Sequence, residues 1–301
     1  MQAIPSPICP MSPHPPADRP SLHWLRRHPV DDLMRLGRDR DGGYVVPRRA
    51  LDAATCLLGL GINDEWSFET DALARTGVRQ LVAVDGSVGT GRFLRLLRHD
   101  ARMALGMWLT GRWAQGAHHA ARARHWWRTM RAFRALVRPP GRRFVRRMLE
   151  AAPSPSAITW PALVAAHVPA GARLFVKMDI EGAEYAVLPA LLADADRLTG
   201  LAVEFHDVGR AWPRFREVVA ALLGPFALVH AHGNNWQPLV PGTAVPEVLE
   251  LTFLHRGLMA ADELAGEAHT PLPLPGLDFP NLPEREDFRL VLGARPDVAA
   301  A

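Results

Sequence analysis

Four stretches of this chain are short and almost continuously apolar: Thr55–Ile62, Gln80–Asp85, Leu174–Ile180 and Leu201–Phe205. A strand with one face in water alternates apolar and polar side chains, whereas a strand covered on both faces does not. Runs of this kind therefore require a parallel sheet sandwiched between helices. The intervening sequence supplies those helices, at Phe68–Thr76, Glu184–Leu192 and Pro213–Leu223. Strand and helix in alternation give an open α/β sheet with right-handed crossovers.

The flanks are read by the same rules. Residues 1–20 are rich in proline, carry no basic start or long apolar stretch, and are expected to be a disordered lead rather than a signal peptide. Ser21–Arg40 reads as a helix with Leu22, Leu25, Leu33 and Leu36 on one side. Asp41-Gly42-Gly43 is a turn signal, and Tyr44–Val46 a short strand. Phe226–His230 and Val248–His255 are joined by a segment too polar and proline-rich for a crossover helix, so they are expected to pair antiparallel at the sheet edge. From Ala260 onward the chain should wrap the surface. One domain is expected over residues 21–290, followed by a tail at 291–301.

Charge is unevenly placed. The net charge is +4, yet Arg92–Glu150 holds fifteen arginines and only two acids, +13 against −9 for all other residues. Within this block His118–Val137 reads as a basic amphipathic helix, ended by Pro139-Pro140-Gly141. Trp126, Trp127, Met130, Phe133 and Val137 recur on one side, and Arg124, Arg128, Arg131, Arg134 and Arg138 on another. The block is expected to be a helical insertion at 92–150 that caps the acceptor site and pairs with phosphate or carboxylate groups on an anionic acceptor. A peripheral contact with an anionic membrane is the second partner considered, and nucleic acid the least favoured, since no binding motif accompanies the charge. The two cysteines, Cys9 and Cys56, argue against a disulfide framework. No segment is apolar enough for a membrane span, and a cytoplasmic protein is expected.

Residues suited to chemistry gather at the predicted strand ends, where open α/β sheets bind ligands. Gly59 and Gly61, in G-L-G-I-N-D-E, permit close approach of a cofactor to the backbone. A dinucleotide loop needs a third glycine where Asp64 stands, and a carboxylate there repels phosphate. It suits a cationic cofactor such as S-adenosylmethionine better than NAD. Asp85 ends the second strand, where an acid can accept ribose hydroxyls or simply close an Asx turn. Asp179 and Glu181 lie in K-M-D-I-E-G-A-E at the end of a buried strand, where unpaired charge is costly. Glu184 can favour a helix start. His206 in E-F-H-D and His232 in H-A-H-G-N-N are the histidines that could act as general base. A metal set of His206, Asp207 and His232 lacks tight ligand spacing, so no metal ligand is assigned.

The segments D-G-G-Y-V-V-P, L-G-L-G-I-N-D-E-W-S-F-E, V-D-G-S, V-K-M-D-I-E-G-A-E, V-E-F-H, H-G-N-N, P-E-V-L-E-L-T-F and L-D-F-P-N-L-P follow one another from Asp41 to about Phe288. In that order they resemble the FkbM-type methyltransferases, in particular the methyltransferase-like domain branch. The resemblance implies a Rossmann-like class I methyltransferase fold, with S-adenosylmethionine as methyl donor and a hydroxyl on a sugar, glycan or natural product as acceptor. It places Gly59, Gly61 and Asn63 at the methionine end, Asp85 at the ribose, and Asp179 and Glu181 between cofactor and acceptor. Asp179, Glu181 and His206 are all carried forward as candidate bases. Two other readings are a cofactor-binding or interaction module without catalysis, and an NAD-dependent oxidoreductase.

Overall fold

Every residue of the first, third and fourth apolar runs that enters a strand is buried, as two covered faces demand. The computed structural model describes residues 19–293. In chain order the strands are β1 (Leu33–Leu36), β2 (Tyr44–Pro47), β3 (Cys56–Leu60), β4 (Gln80–Val84), β5 (Arg142–Val145), β6 (Met148–Leu149), β7 (Ala157–Ile158), β8 (Leu174–Met178), β9 (Leu198–Phe205), β10 (Phe226–Gly233) and β11 (Leu249–His255). The α-helices are α1 (Arg48–Ala53), α2 (Ser67–Arg75), α3 (Thr90–Leu109), α4 (Trp113–Val137), α5 (Trp160–His167), α6 (Glu184–Leu191), α7 (Trp212–Leu222) and α8 (Ala261–Ala265).

The main sheet runs β10-β11-β9-β8-β3-β4-β5. β5, β4, β3, β8 and β9 are parallel, and β11 is antiparallel to both of its neighbours. This is the Rossmann-like α/β fold with an antiparallel edge expected from the sequence. Side chains alternate between two cores. Leu58, Leu60, Val176 and Met178 face α5, α6 and α7, while Leu57, Leu81 and Phe175 face α1, α2 and the aromatic residues of α3 and α4. Strand order reverses between β3 and β8, and the crevice above that point is where such sheets hold ligands.

Three expectations change. Ser21–Arg40 is not a helix. Its first half is coil with a turn closed by the Leu25 amide on the Leu22 carbonyl and tied by the His28 amide to the Leu228 carbonyl, and Leu33–Leu36 pairs antiparallel with Tyr44–Pro47. Pro29 removes one amide and disfavours helical backbone at His28, so long-range partners win. The basic block is more than an insertion, because Arg142–Val145 is a full edge strand parallel to β4. Its sequence, R-R-F-V, has no apolar run to announce it. Finally, the block contains two helices rather than one, α3 and α4, joined by a turn at Thr110–Arg112.

The chain beyond Ala260 wraps the surface as expected, ending in coil whose Leu272 and Leu290 are buried. Cys56 is buried in β3, and burial pushes its thiol up to about 11. Cys9 and most of the predicted lead and tail, at 1–18 and 294–301, lie outside the described residues. Among the described residues no helix is long and apolar enough to cross a membrane.

Candidate functional site

A cavity of about 280 Å³ opens above the β3–β8 crevice. Its walls come from the ends of four parallel strands, and they include Gly61, Asn63, Asp85, Asp179, Glu181 and His206 from the predicted set. Residues 145 positions apart in sequence thus meet because each ends a neighbouring strand.

Each side chain is held for a local reason. The β3 strand is followed by Gly61, whose φ is +74°. A Cβ there would collide with the Asp179 carbonyl, so glycine is required for β3 and β8 to lie this close. Asn63 follows in the left-handed region, with φ 41°. Its amide donates to Asp85 Oδ2 at 2.8 Å. Asp85 Oδ1 accepts from the Ser87 amide (2.6 Å), the Ser87 hydroxyl (2.7 Å) and the Val88 amide (3.1 Å). The Asx turn is therefore real, and it leaves free acceptor capacity on Oδ2 for a ligand hydroxyl.

The K-M-D-I-E-G-A-E loop is tied by Glu184. Its Oε1 accepts from the Ile180 amide (3.2 Å) and the Gly182 amide (3.1 Å), and bonds His206 Nδ1 at 3.0 Å. This folds the loop back and holds Glu181 at φ 55°, side chain largely in solvent. His206 Nε2 then faces Glu181 (3.6 Å), Glu204 (3.6 Å) and Asp179 Oδ1 (3.8 Å). Burial works against charge on His206, but the Glu184 bond and the Glu204, Glu184 and Asp179 carboxylates outweigh it and push its pKa up to about 9.

Three residues without a predicted role complete the floor. Lys177 is 3% exposed and donates to the Gly61 carbonyl and to Asp179 Oδ2, both at 3.2 Å. Burial opposes its charge, yet Asp179, Glu69 and Glu204 raise its pKa overall. The Tyr44 hydroxyl donates to Glu204 Oε2 at 2.9 Å and reaches Asp179 Oδ2 at 3.4 Å. Burial, then the Asp179 and Glu250 carboxylates, push the Glu204 carboxyl well above the usual range, toward its neutral form. Lys177 is the only lysine of the chain, the one trace of this cluster visible in sequence.

Other assignments move. Gly59 lies within β3, away from the cavity, on the sheet face covered by α2. A Cβ there would stand 2.6 Å from Glu69 Oε1, so its smallness makes room for a buried acid rather than for a cofactor. His232 is not at the site. It is buried between Glu250 (3.3 Å) and Asp287 (2.9 Å), and Asn235 in the same H-G-N-N motif bonds the Leu282, Arg285 and Glu286 carbonyls. The motif fastens the C-terminal segment to β10. Asp207 pairs with Arg210 instead of joining His206 and His232 around a metal. The donor atoms that do converge, within 4.8 Å of one another, belong to Asp179, Glu181 and His206, a spacing that one cation could bridge. The expected arginine cap is absent from the walls: nothing from α3 or α4 lines the cavity, and Arg147 is the only arginine that does.

No family model and no curated protein sequence matches the chain. Among solved structures it is similar to the B. subtilis M1A22 tRNA methyltransferase TrmK, at 11% identity and a TM-score of 0.30. The match covers 69% of this chain and spans 63% of that one. The FkbM resemblance rests on its motifs alone; the structure has a Rossmann-like α/β fold with an acidic cavity at the switch of strand order.

Proposed function

We propose that this chain is an S-adenosylmethionine-dependent methyltransferase acting on a hydroxyl oxygen. One observation carries the reading. The cavity at the switch crevice is lined by seven acidic side chains, Asp41, Asp64, Glu65, Asp85, Asp179, Glu181 and Glu204, the last displaced toward its neutral form, against Lys177, Arg147 and His206. Such a wall favours a cationic ligand and repels phosphate, which disfavours a dinucleotide.

S-adenosylmethionine, when bound, supplies a methyl group on a sulfonium cation. Gly61 and Asn63 line the wall where its methionine end would lie, and Asp85 Oδ2 would accept a ribose hydroxyl. Asp179, held by Lys177 and Tyr44, and Glu181 orient the acceptor hydroxyl. The hydroxyl proton passes to His206 Nε2, while Glu184 keeps Nδ1–H fixed, the orienting role an acid plays behind a histidine base. The surrounding carboxylates keep Nε2 protonated in the acidic bowl, so Nε2 takes the hydroxyl proton only after its own proton has been driven out to solvent by a bound cation. The same carboxylates disfavour an anionic acceptor, so the expected class narrows to neutral hydroxyl compounds such as sugars and polyols.

Titration calorimetry tests the cofactor assignment. S-adenosylmethionine should bind at micromolar Kd, about −8 kcal/mol, and NAD should not. Asp85→Asn should weaken binding by about 1–2 kcal/mol. Equal affinity for NAD and S-adenosylmethionine would sink the reading.

A further inference from the structure

The α3–α4 hairpin has two halves of different character. In the proximal half Phe93, Met130, Phe133 and Leu136 are buried with Trp66 in the core, the Trp66 and Phe133 rings 5.6 Å apart. The predicted apolar stripe thus packs largely on the body. At mid-hairpin the buried Asp100 joins the helices, bonding His119 Nδ1 (2.7 Å), Trp126 Nε1 (3.0 Å) and Arg122 Nε (3.1 Å). Beyond it nothing of the hairpin enters a core cluster. Arg95–Leu109 and the facing part of α4 leave the body at the carboxyl edge of the sheet, for about 22 Å at 1.5 Å per residue.

The distal half buries only small residues, Ala104, Gly116 and Ala123, against the partner helix. Its large apolar side chains are left partly or largely exposed, Trp108 lying with one edge over Gly116 of α4. Leu109 is 78% exposed, Trp113 68%, Leu105 57% and Trp108 38%. Monomeric surfaces rarely gather such residues in one place without a partner. Arg102 and Arg112 lie among them and Arg95, Arg98 and Arg124 follow at about the level of Asp100, all exposed. Of the eleven arginines between Thr90 and Arg138, Arg122 is the only one paired with a carboxylate among the described residues.

We propose that this hairpin tip is a docking site for an anionic bilayer. Leu105, Trp108, Leu109 and Trp113 enter the headgroup boundary, where tryptophan is favoured, and the arginine collar meets lipid phosphates and carboxylates. Nucleic acid would use the arginines but leaves the leucines and their apolar surface unexplained. The tip shares no residue with the cavity, so the inference stands apart from the methyl-transfer reading.

The test is flotation of the full chain with vesicles of phosphatidylcholine alone or with one quarter phosphatidylserine, at 50 and 300 mM salt. Binding should be at least tenfold stronger to the anionic vesicles and weaken with salt. Emission from the tip tryptophans should shift to the blue as they bind. L109E/W113E, at two exposed positions, should lose vesicle binding at least tenfold while retaining its S-adenosylmethionine affinity and helical circular dichroism. R112Q/R124Q should lose the salt dependence in part. Equal partition to neutral and anionic vesicles, or wild-type vesicle binding by L109E/W113E, overturns the proposal. So does the absence of a fluorescence shift, whether or not the variants fold. Duplex RNA binding without vesicle binding assigns the arginines to nucleic acid and overturns it as well.

Discussion

His206 and His232 sit in the same electrostatic situation and do different things. Each imidazole lies among carboxylates that overcome its burial, and each is pushed up, to about 9 and about 10 respectively. Both stand in strands of one sheet's C-terminal half or just beyond its end. What separates them is access. His206 turns Nε2 toward a cavity, between side chains that other strands bring there. His232 has both nitrogens engaged, by Glu250 on β11 and by Asp287 of the wrapping segment. A perturbed pKa marks a functional residue only when an unsatisfied atom meets open space; the same shift in a sealed pair marks a fastening.

The contrast is sharpest in mutants. Asp179→Asn keeps the shape of the bowl and removes the charge that Lys177 and His206 share. It should lower methyl transfer by about 10²-fold, the cost of a misplaced acceptor, and lower the melting temperature by a few degrees because the buried Lys177 loses a charged partner. Turnover is followed by release of labelled methyl product, and full activity in that mutant would end the assignment. His232→Ala should act on the fold alone. It leaves Glu250 and Asp287 buried without their cation, at a cost of about 3 kcal/mol, or about 10 °C in Tm. The folded fraction should bind S-adenosylmethionine as the parent does. A large loss of turnover per folded molecule would show that the two histidines are not separable in this way.

The pH dependence has a definite sign. A histidine raised from 6.5 in the unfolded chain to about 10 in the folded one, as His232 is, stabilises the fold fully below pH 6.5. That contribution is lost as pH rises through about 10. His206 adds a smaller loss through about 9. Denaturant midpoints should therefore decline from near neutral pH into the alkaline range, and His232→Gln should flatten most of that limb. An equally steep limb in the variant would remove the fastening role.

Much of this architecture is legible in sequence because it depends on local pattern. Continuous apolar runs place β3, β4, β8 and β9, and strand ends then bring Gly61, Asp85, Asp179 and His206 together without any knowledge of side-chain contacts. What fails to show is set by distant partners. The polar strand Arg142–Val145 is an edge and needs no apolar run. The helical spacing of Leu22, Leu25, Leu33 and Leu36 is overruled by pairing with Tyr44–Pro47. Lys177, Tyr44 and Glu204 look like ordinary strand residues until residues 160 apart are adjacent. Gly59 shows the limit from the other side: the motif is present, but alternation along β3 turns that position toward Glu69.

The smallest expected effect probes the edge of the site. The Tyr44 hydroxyl donates to Glu204 and reaches Asp179, so it belongs to the bowl's floor and not to its opening. Tyr44→Phe keeps the ring under Lys177, whose Nζ lies 5.3 Å from the ring centroid, and removes a single donor. Glu204 is displaced toward its neutral form and retains Asn234 as a donor to Oε1 at 3.1 Å. The stability loss should therefore be about 1 kcal/mol, the net worth of one hydrogen bond, and not the larger penalty of an abandoned buried charge. Asp179 keeps its lysine, so turnover should fall by less than about tenfold. Urea denaturation and methyl-transfer assays on the same sample separate the two effects. A loss near that of Asp179→Asn would mean that Tyr44 holds Asp179 in place, and would move the hydroxyl from the floor of the bowl into its working surface.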